Sequence, residues 1–128
     1  MVVKILPVVD FRDSGELRVE PAPLLERLAD SADLAPFREL IEPLLEYDRE
    51  RRSDLVRTLR VYFLAGTNAS EAADRLFLHR NSMLYRLARV EKLSGLDLKD
   101  PRAVLALQLG LLSIDQQGRS SKDATEHP

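Results

Sequence analysis

The segment Asn68–Leu87 contains two short helical patterns separated by only a few residues, and this spacing restricts the fold more than any other feature. The small residues Ala72 and Ala73 lie on the first predicted helix, and the second is expected to begin at His79 or Arg80. Two helices joined by so short a turn must cross steeply, and the small residues let their backbones approach closely. The segment therefore predicts a helix-turn-helix.

The second helix of this pair, predicted over about residues 79–93, has an apolar side and a polar side. Apolar residues at helical spacing are expected to form one buried seam, which comprises Leu76, Leu78, Met83, Leu87 and Val90. This seam leaves five positions facing outward, namely Arg80, Asn81, Leu84, Tyr85 and Ala88. Arginine can pair bidentately with guanine and asparagine with adenine, so the outward face is typical of a helix that reads the DNA major groove.

Other polar residues near this helix are candidates for contacts with DNA phosphates. They are Ser82, Arg86 and Arg89 on the helix, together with Arg51 or Arg52 upstream. Two residues on or next to this face also have an interpretation that does not involve DNA. His79 suits a helix cap better than a base contact, and Tyr85 is equally suited to packing against a neighbouring helix. The whole face also fits a solvated helix surface in a protein that never touches DNA.

The whole chain is expected to divide into three parts. Residues 2–9 and 17–19 are apolar stretches on either side of a turn, so a β-hairpin is one option there, although one hairpin alone is barely stable. We expect a mainly α helix-turn-helix domain, which resembles that of the Fis-like group, over residues 44–115, with a short N-terminal appendage over residues 1–43. The polar residues 116–128 are expected to form a disordered tail.

Helix signals outside the central pair come mostly from proline and from capping residues. Pro21 and Pro23 are expected to open a short helix that ends near Ala29. Asp33 is the expected N-cap of a helix over residues 34–41, which Pro43 is expected to interrupt. Downstream, three further helix starts are predicted, by Ser53, by Thr67 or Asn68, and by the pair Asp100-Pro101, the last helix ending near Ile114.

Charge is distributed unevenly along the chain, although its net charge is only −2. Residues 1–48 carry 5 basic and 11 acidic side chains, a net charge of −6, whereas residues 49–93 carry 10 basic and 5 acidic, a net charge of +5. Such asymmetry indicates a nucleic-acid surface beside an acidic segment, and local excesses on solvated helices give the same pattern.

Composition excludes several classes of protein. There is no cysteine, so disulfide frameworks, thiolate catalysis and zinc fingers are excluded. The longest apolar stretch, residues 104–114, is too short to span a bilayer, and no signal peptide is visible, so a cytoplasmic protein is expected. We expect no enzymatic activity, no metal site and no cofactor, because there is no metal-ligand cluster, no glycine-rich phosphate loop and only two histidines.

Several segments together resemble a known family. They are Leu44–Asp48, Leu55–Phe63, Asn68 with Ala72, Ala73 and Leu76, the run His79-Arg80-Asn81-Ser82 with Tyr85-Arg86-Leu87, Glu91 with Leu93–Leu98, and Asp100-Pro101 before a leucine-rich helix. Over about residues 44–113 the chain closely resembles the C-terminal DNA-binding domain of the PucR/CdaR family of bacterial regulators. Its most specific part is the segment from His79 to Leu87.

The resemblance implies sequence-specific binding of double-stranded DNA, usually by a homodimer or higher oligomer, in a regulator of catabolic genes. The family motif falls on His79, Arg80, Asn81, Ser82, Tyr85 and Arg86. Ser82 stands where the family usually has threonine, and Leu84 stands where it tends to have a basic or polar residue. Leucine cannot donate to a base, so Leu84 either meets a thymine methyl group or reduces the number of bases read.

Two further interpretations stay open. Relatives of this kind have a long sensory region before the DNA-binding end, so the chain is expected to be either a C-terminal fragment or a short member, and no residue indicates an effector. The alternative function is a protein-interaction module that retains the helix-turn-helix as a scaffold. The last helix favours that alternative, since leucines lie on both of its sides and one side is available to another chain.

Overall fold

The computed structural model describes residues 20–126, and this part of the chain consists of α-helices joined by short connections. The helices are α1 (Pro21–Ala29), α2 (Ala35–Arg51), α3 (Leu55–Leu64), α4 (Ala69–Arg75), α5 (Arg80–Ser94) and α6 (Pro101–Glu126), with a 3-10 turn at Ala32–Leu34. The predicted mainly α fold is confirmed. The hairpin predicted within residues 2–19 lies outside the described residues.

Two of the expected helix starts form as predicted because their capping side chains satisfy backbone N–H groups. The Asn68 Oδ1 accepts a hydrogen bond from the Glu71 N–H at 2.9 Å, which caps α4. The Asp100 Oδ1 accepts from the Arg102 N–H, also at 2.9 Å, beside the first-turn proline of α6. Local sequence signals were sufficient at these positions, since each cap involves residues two or three apart.

Helix α2 differs from the prediction at both of the positions that were expected to bound it. It is continuous from Ala35 to Arg51 with Pro43 inside, so the expected break is wrong. Proline removes one helical hydrogen bond, but Ile41 and Leu44 on either side are fully buried, and their packing keeps the helix whole. Upstream, Asp33 is not the cap of α2, which follows Leu34 without a side-chain cap. The Ser31 side chain instead caps the 3-10 turn before α2, where it accepts from the Asp33 N–H.

Helix α6 continues to Glu126, well past its predicted end near Ile114. Where a disordered tail was expected from residue 116, the structure therefore has helix. No proline follows Pro101 until Pro128, and a single glycine costs only about 1 kcal/mol relative to alanine within a helix. No helix among residues 20–126 combines the length and the apolar character needed to cross a membrane.

The core brings the N-terminal helices and the helix-turn-helix together. Its fully buried side chains include Ile41, Leu44, Leu59, Met83, Val90 and Leu107. Helix α2 makes its most extensive contact with α6 and also packs on α3 and α5. The predicted domain boundary at residues 43 and 44 falls inside α2, and it stays a prediction. Because one long helix touches α3, α5 and α6, α2 fixes the position of the helix-turn-helix.

Candidate nucleic-acid interface

The connection between α4 and α5 is a tight turn over residues 76–79. Ala72 and Ala73 are fully buried, so α4 lies close to the helices beside it. The Leu78 N–H donates to the Ala73 carbonyl at 2.8 Å, and Phe77 adopts a left-handed conformation with φ of 57°. This conformation costs a residue with a Cβ about 1–2 kcal/mol. The Phe77 side chain is 96% exposed, so burial of its ring does not offset that cost.

His79 is the cap of α5. Its Nδ1 accepts a hydrogen bond from the Asn81 N–H at 3.1 Å, and its backbone carbonyl accepts from the Met83 N–H. The interpretation of His79 as a cap is therefore confirmed, while its contact with DNA stays a prediction. The cap fixes where α5 begins and hence which side chains lie on its first two turns.

The two sides of α5 are arranged as the sequence predicts. Met83, Leu87 and Val90 are buried in the core. The opposite face is exposed and carries Arg80, Asn81, Ser82, Leu84, Tyr85 and Ala88. Leu84 is only 39% exposed, and Tyr85 is 61% exposed. The N-terminal half of α5 therefore presents a polar surface of donors and acceptors, held from behind by three apolar anchors.

Arg80 is partly oriented by the first helix of the pair. Its Nε donates to the Ser70 Oγ at 3.1 Å, a contact between α5 and the start of α4. This single bond directs the guanidinium along the exposed side of the helix-turn-helix and engages only one of its five N–H groups. The two terminal nitrogens have no partner among the described residues, so they are available for a bidentate contact.

Unlike the other predicted phosphate contacts, the Arg86 side chain forms hydrogen bonds with another helix of the protein. Its Nη1 donates to the Asp54 Oδ1 and to the Thr58 Oγ1, the latter at 3.0 Å, and so joins α5 to the start of α3. Thr58 is fully buried, and its own hydroxyl donates to the Asp54 carbonyl. Since one terminal nitrogen is engaged twice inside the protein, Arg86 contributes first to holding the two helices together. A contact with DNA through its remaining N–H groups stays a prediction.

Replacing Arg86 with alanine is expected to lower the free energy of unfolding by about 1–2 kcal/mol. The substitution removes two hydrogen bonds, one of them to a charged partner, and the value is reduced because the pair is partly exposed to solvent. Urea denaturation followed by circular dichroism would measure it. Arg57→Ala is the matched control, because Arg57 pairs with the same Asp54 from a solvent-exposed position. Equal stability of the two variants would contradict the internal role of Arg86.

The start of α3 is capped from another helix, which the sequence did not reveal. Both carboxylate oxygens of Asp48, near the end of α2, accept hydrogen bonds: Oδ1 from the Ser53 hydroxyl and the Leu55 N–H, Oδ2 from the Val56 N–H. Ser53 was expected to cap α3, but it serves as a donor to the actual cap. The local signal for Asp48 is weak, since it lies seven residues before the helix it caps.

An aromatic and cationic cluster lies where the end of α2 meets the middle of α5. The guanidinium carbon of Arg89 is 5.6 Å from the centre of the Tyr47 ring and 5.5 Å from that of Tyr85. The guanidinium carbon of Arg51 is 5.4 Å from the centre of the same Tyr47 ring. Arg89 also donates to the Tyr85 hydroxyl at 2.8 Å, and this bond with the adjacent positive charge holds the pKa of Tyr85 below its ordinary value. We call Tyr47, Arg51 and Arg89 the Tyr47–arginine cluster.

A cleft of about 450 Å³ opens between this cluster and the exposed face of α5. Its walls include Tyr47, Ser53, Asn81, Ser82, Tyr85 and Arg89, together with Asp54, whose carboxylate is paired with Arg86. Aromatic faces, hydroxyl groups and a guanidinium therefore meet along one open groove. Such a lining suits an anionic ligand, because a guanidinium binds phosphate or carboxylate through paired N–H groups.

Comparison with known proteins bears directly on the helices that form this surface. Residues 55–113, which include α3, α4, α5 and the first half of α6, match the family model of the PucR C-terminal helix-turn-helix domain. This part of the chain is a PucR C-terminal helix-turn-helix domain. The resemblance predicted from the sequence is thereby confirmed, and the PucR-type domain begins just after the α2 residues of the Tyr47–arginine cluster.

Several curated proteins are similar to the chain. The purine catabolism regulatory protein of Bacillus subtilis (strain 168) is 41% identical over 90 residues, which are 70% of this chain and 17% of that protein. The proline-responsive transcriptional activator PutR of the same organism is 34% identical over 55% of this chain and 17% of its own length. The carbohydrate diacid regulator of Escherichia coli (strain K12) is 37% identical over 57% of this chain and 20% of its own length.

The chain thus matches a fifth or less of the length of each of these three relatives. No solved structure is significantly similar to it. By their names, two of these relatives are regulatory proteins and the third is a transcriptional activator. The individual residues that would contact DNA are proposals, developed below.

Proposed function

We propose that the chain is a sequence-specific, DNA-binding transcriptional regulator of the PucR/CdaR type, in which α5 enters the major groove. One observation carries the proposal: within a PucR-type domain, the N-terminal half of α5 exposes Arg80, Asn81 and Ser82 while its opposite face is buried. A recognition helix has this division, because its first turns meet base edges while the helix before it lies over the backbone.

Each exposed side chain has a distinct role in this proposal. Arg80 can present its two terminal nitrogens to the O6 and N7 of a guanine, and Asn81 offers a donor and an acceptor to an adenine. Ser82 and Arg89 contact phosphates, as do the first N–H groups of α5 beside His79. Leu84 and Tyr85 supply apolar contacts, with the Leu84 methyl groups suited to a thymine methyl.

Selection of preferred sequences from random duplex DNA would test the proposal. We expect an inverted repeat, because a symmetric dimer presents two recognition helices about 34 Å apart along the duplex. Arg80→Ala is then expected to weaken binding to the selected duplex by about 1–3 kcal/mol and to relax the preference at one base position. Fluorescence anisotropy with selected and scrambled duplexes measures both effects.

Arg102→Ala is a suitable control for Arg80→Ala. Arg102 is almost fully exposed on α6, outside the helix-turn-helix, and its replacement removes the same charge. Equal losses of affinity in the two variants, with an unchanged base preference, would contradict base reading by Arg80.

A protein-interaction module is the second candidate function, and two exposed apolar side chains favour it. Phe77 is 96% exposed at the turn, and Leu84 lies on the proposed DNA face. If the chain bound no duplex at low salt, even when fused to a dimerising segment, the helix-turn-helix would instead be a scaffold for protein contacts.

A further inference from the structure

Two arginines from different helices lie against one aromatic ring at the edge of the proposed DNA face. Arg51 on α2 and Arg89 on α5 have their guanidinium carbons 5.4 Å and 5.6 Å from the centre of the Tyr47 ring. Both distances are within the range of about 6 Å at which a cation is attracted to an aromatic face. The ring therefore orders two positive charges that would otherwise repel each other.

The neighbouring carboxylates do not neutralise these charges. Asp48 uses both of its oxygens to cap α3, and Asp54 pairs with Arg57 and Arg86. Within the part of the chain that the structure describes, neither Arg51 nor Arg89 forms an ion pair with an acidic side chain. A pair of guanidinium groups with a shared support and no acidic partner is a surface prepared for an external anion.

The position of the cluster indicates which anion. Asn81, Tyr85 and Arg89 are four residues apart along α5, so they lie on one side of the helix. The cluster is consequently at the C-terminal end of the face that carries the proposed base contacts. Duplex DNA with α5 in its groove has a backbone strand along each edge of that face, so a phosphate group is the expected ligand.

We propose that Arg51 and Arg89, ordered by Tyr47, jointly bind a phosphate of the DNA backbone that borders the groove read by α5. This inference rests on the proposed function, and it extends the DNA surface to α2, outside the residues that match the PucR domain. The stacked arginines lose less side-chain freedom on binding than free ones, since their geometry is already fixed. A phosphate contact fixes the register of α5 without selecting a base sequence.

Anisotropy titrations of the full chain with random duplex DNA over a salt series would test this site. Arg51→Ala is expected to reduce the magnitude of the log–log salt slope by about 1, and to weaken binding about five- to tenfold near physiological salt. The loss should be the same on selected and scrambled duplexes. Arg49→Ala is the matched control, since Arg49 is exposed on the same helix but faces away from Tyr47.

Three further variants test whether the two arginines act together and whether they depend on the Tyr47 ring. If Arg51 and Arg89 share a phosphate, the double alanine variant should lose less affinity than the two single losses added together. Tyr47→Phe keeps the aromatic face and should bind within twofold of the parent, whereas Tyr47→Leu should resemble Arg51→Ala. Thermal melting of each variant excludes unfolding as the cause.

The possible failures can be told apart. Steep salt dependence in the parent with equal slopes for Arg51→Ala and Arg49→Ala would overturn this inference and leave the proposed function standing. A change of base preference in Arg89→Ala would also overturn it, because Arg89 would then read a base. Absence of salt-dependent DNA binding by the parent would overturn both.

Discussion

Replacing Gly110 with alanine is expected to lower the free energy of unfolding by about 2–3 kcal/mol, although the same change within a helix is usually favourable. A Cβ at position 110 would lie 2.5 Å from the Phe37 carbonyl oxygen and 2.7 Å from Ile41 Cγ1. The first of these atoms belongs to the backbone of α2, so it cannot rotate away. Overpacking of this kind costs about 1–3 kcal/mol or more, which exceeds the gain of about 1 kcal/mol in helix propensity.

The effect should be large because the backbone of α2 lies directly against Gly110, and α2 and α6 share the most extensive helix–helix interface among the described residues. Urea denaturation monitored by circular dichroism would measure it. Gln108→Ala, an exposed change on the same helix, should alter stability by less than about 0.5 kcal/mol. A Gly110→Ala protein as stable as the parent would contradict the close contact between α2 and α6.

The features that could be predicted from the sequence are those determined by neighbouring residues. Asn68 and Asp100 cap helices whose first turns they adjoin, and Met83, Leu87 and Val90 form a buried seam because helical periodicity alone assigns them to one side. The exposed face of α5 follows from the same periodicity. For this reason the helix-turn-helix could be predicted from the sequence alone.

The features that were missed depend on contacts between distant segments. Pro43 was expected to end a helix, but the buried neighbours Ile41 and Leu44 keep α2 continuous by packing on other helices. The bond from Arg86 to Asp54 was missed because Asp54 is 32 residues away in the sequence, while the expected contact of Arg86 with a phosphate stays a prediction. Charge and spacing do not distinguish an arginine that binds DNA from one that joins two helices, because both are basic residues on one helix.

Replacing Asp48 with alanine is expected to lower the free energy of unfolding by about 2–3 kcal/mol. Asp48 accepts three hydrogen bonds at the start of α3, from the Ser53 hydroxyl at 2.5 Å and from the N–H groups of Leu55 and Val56 at 2.7 Å and 3.0 Å. Its negative charge also lies at the positive end of the α3 dipole. Loss of a helix cap alone costs about 1 kcal/mol, and the two backbone donors left near the core increase that cost.

Asp97→Ala provides the comparison for Asp48→Ala under the same urea denaturation. The Asp97 carboxylate accepts one backbone hydrogen bond, from the Lys99 N–H at 2.8 Å, in an exposed loop, so its loss should cost less than about 1 kcal/mol. Asp48→Asn should lie between the parent and the alanine variant, because the amide retains one acceptor oxygen and loses the charge. If Asp48→Ala were no more destabilising than Asp97→Ala, the α2 carboxylate would not hold α3, and the alignment of Tyr47 and Arg51 with α5 would need another support.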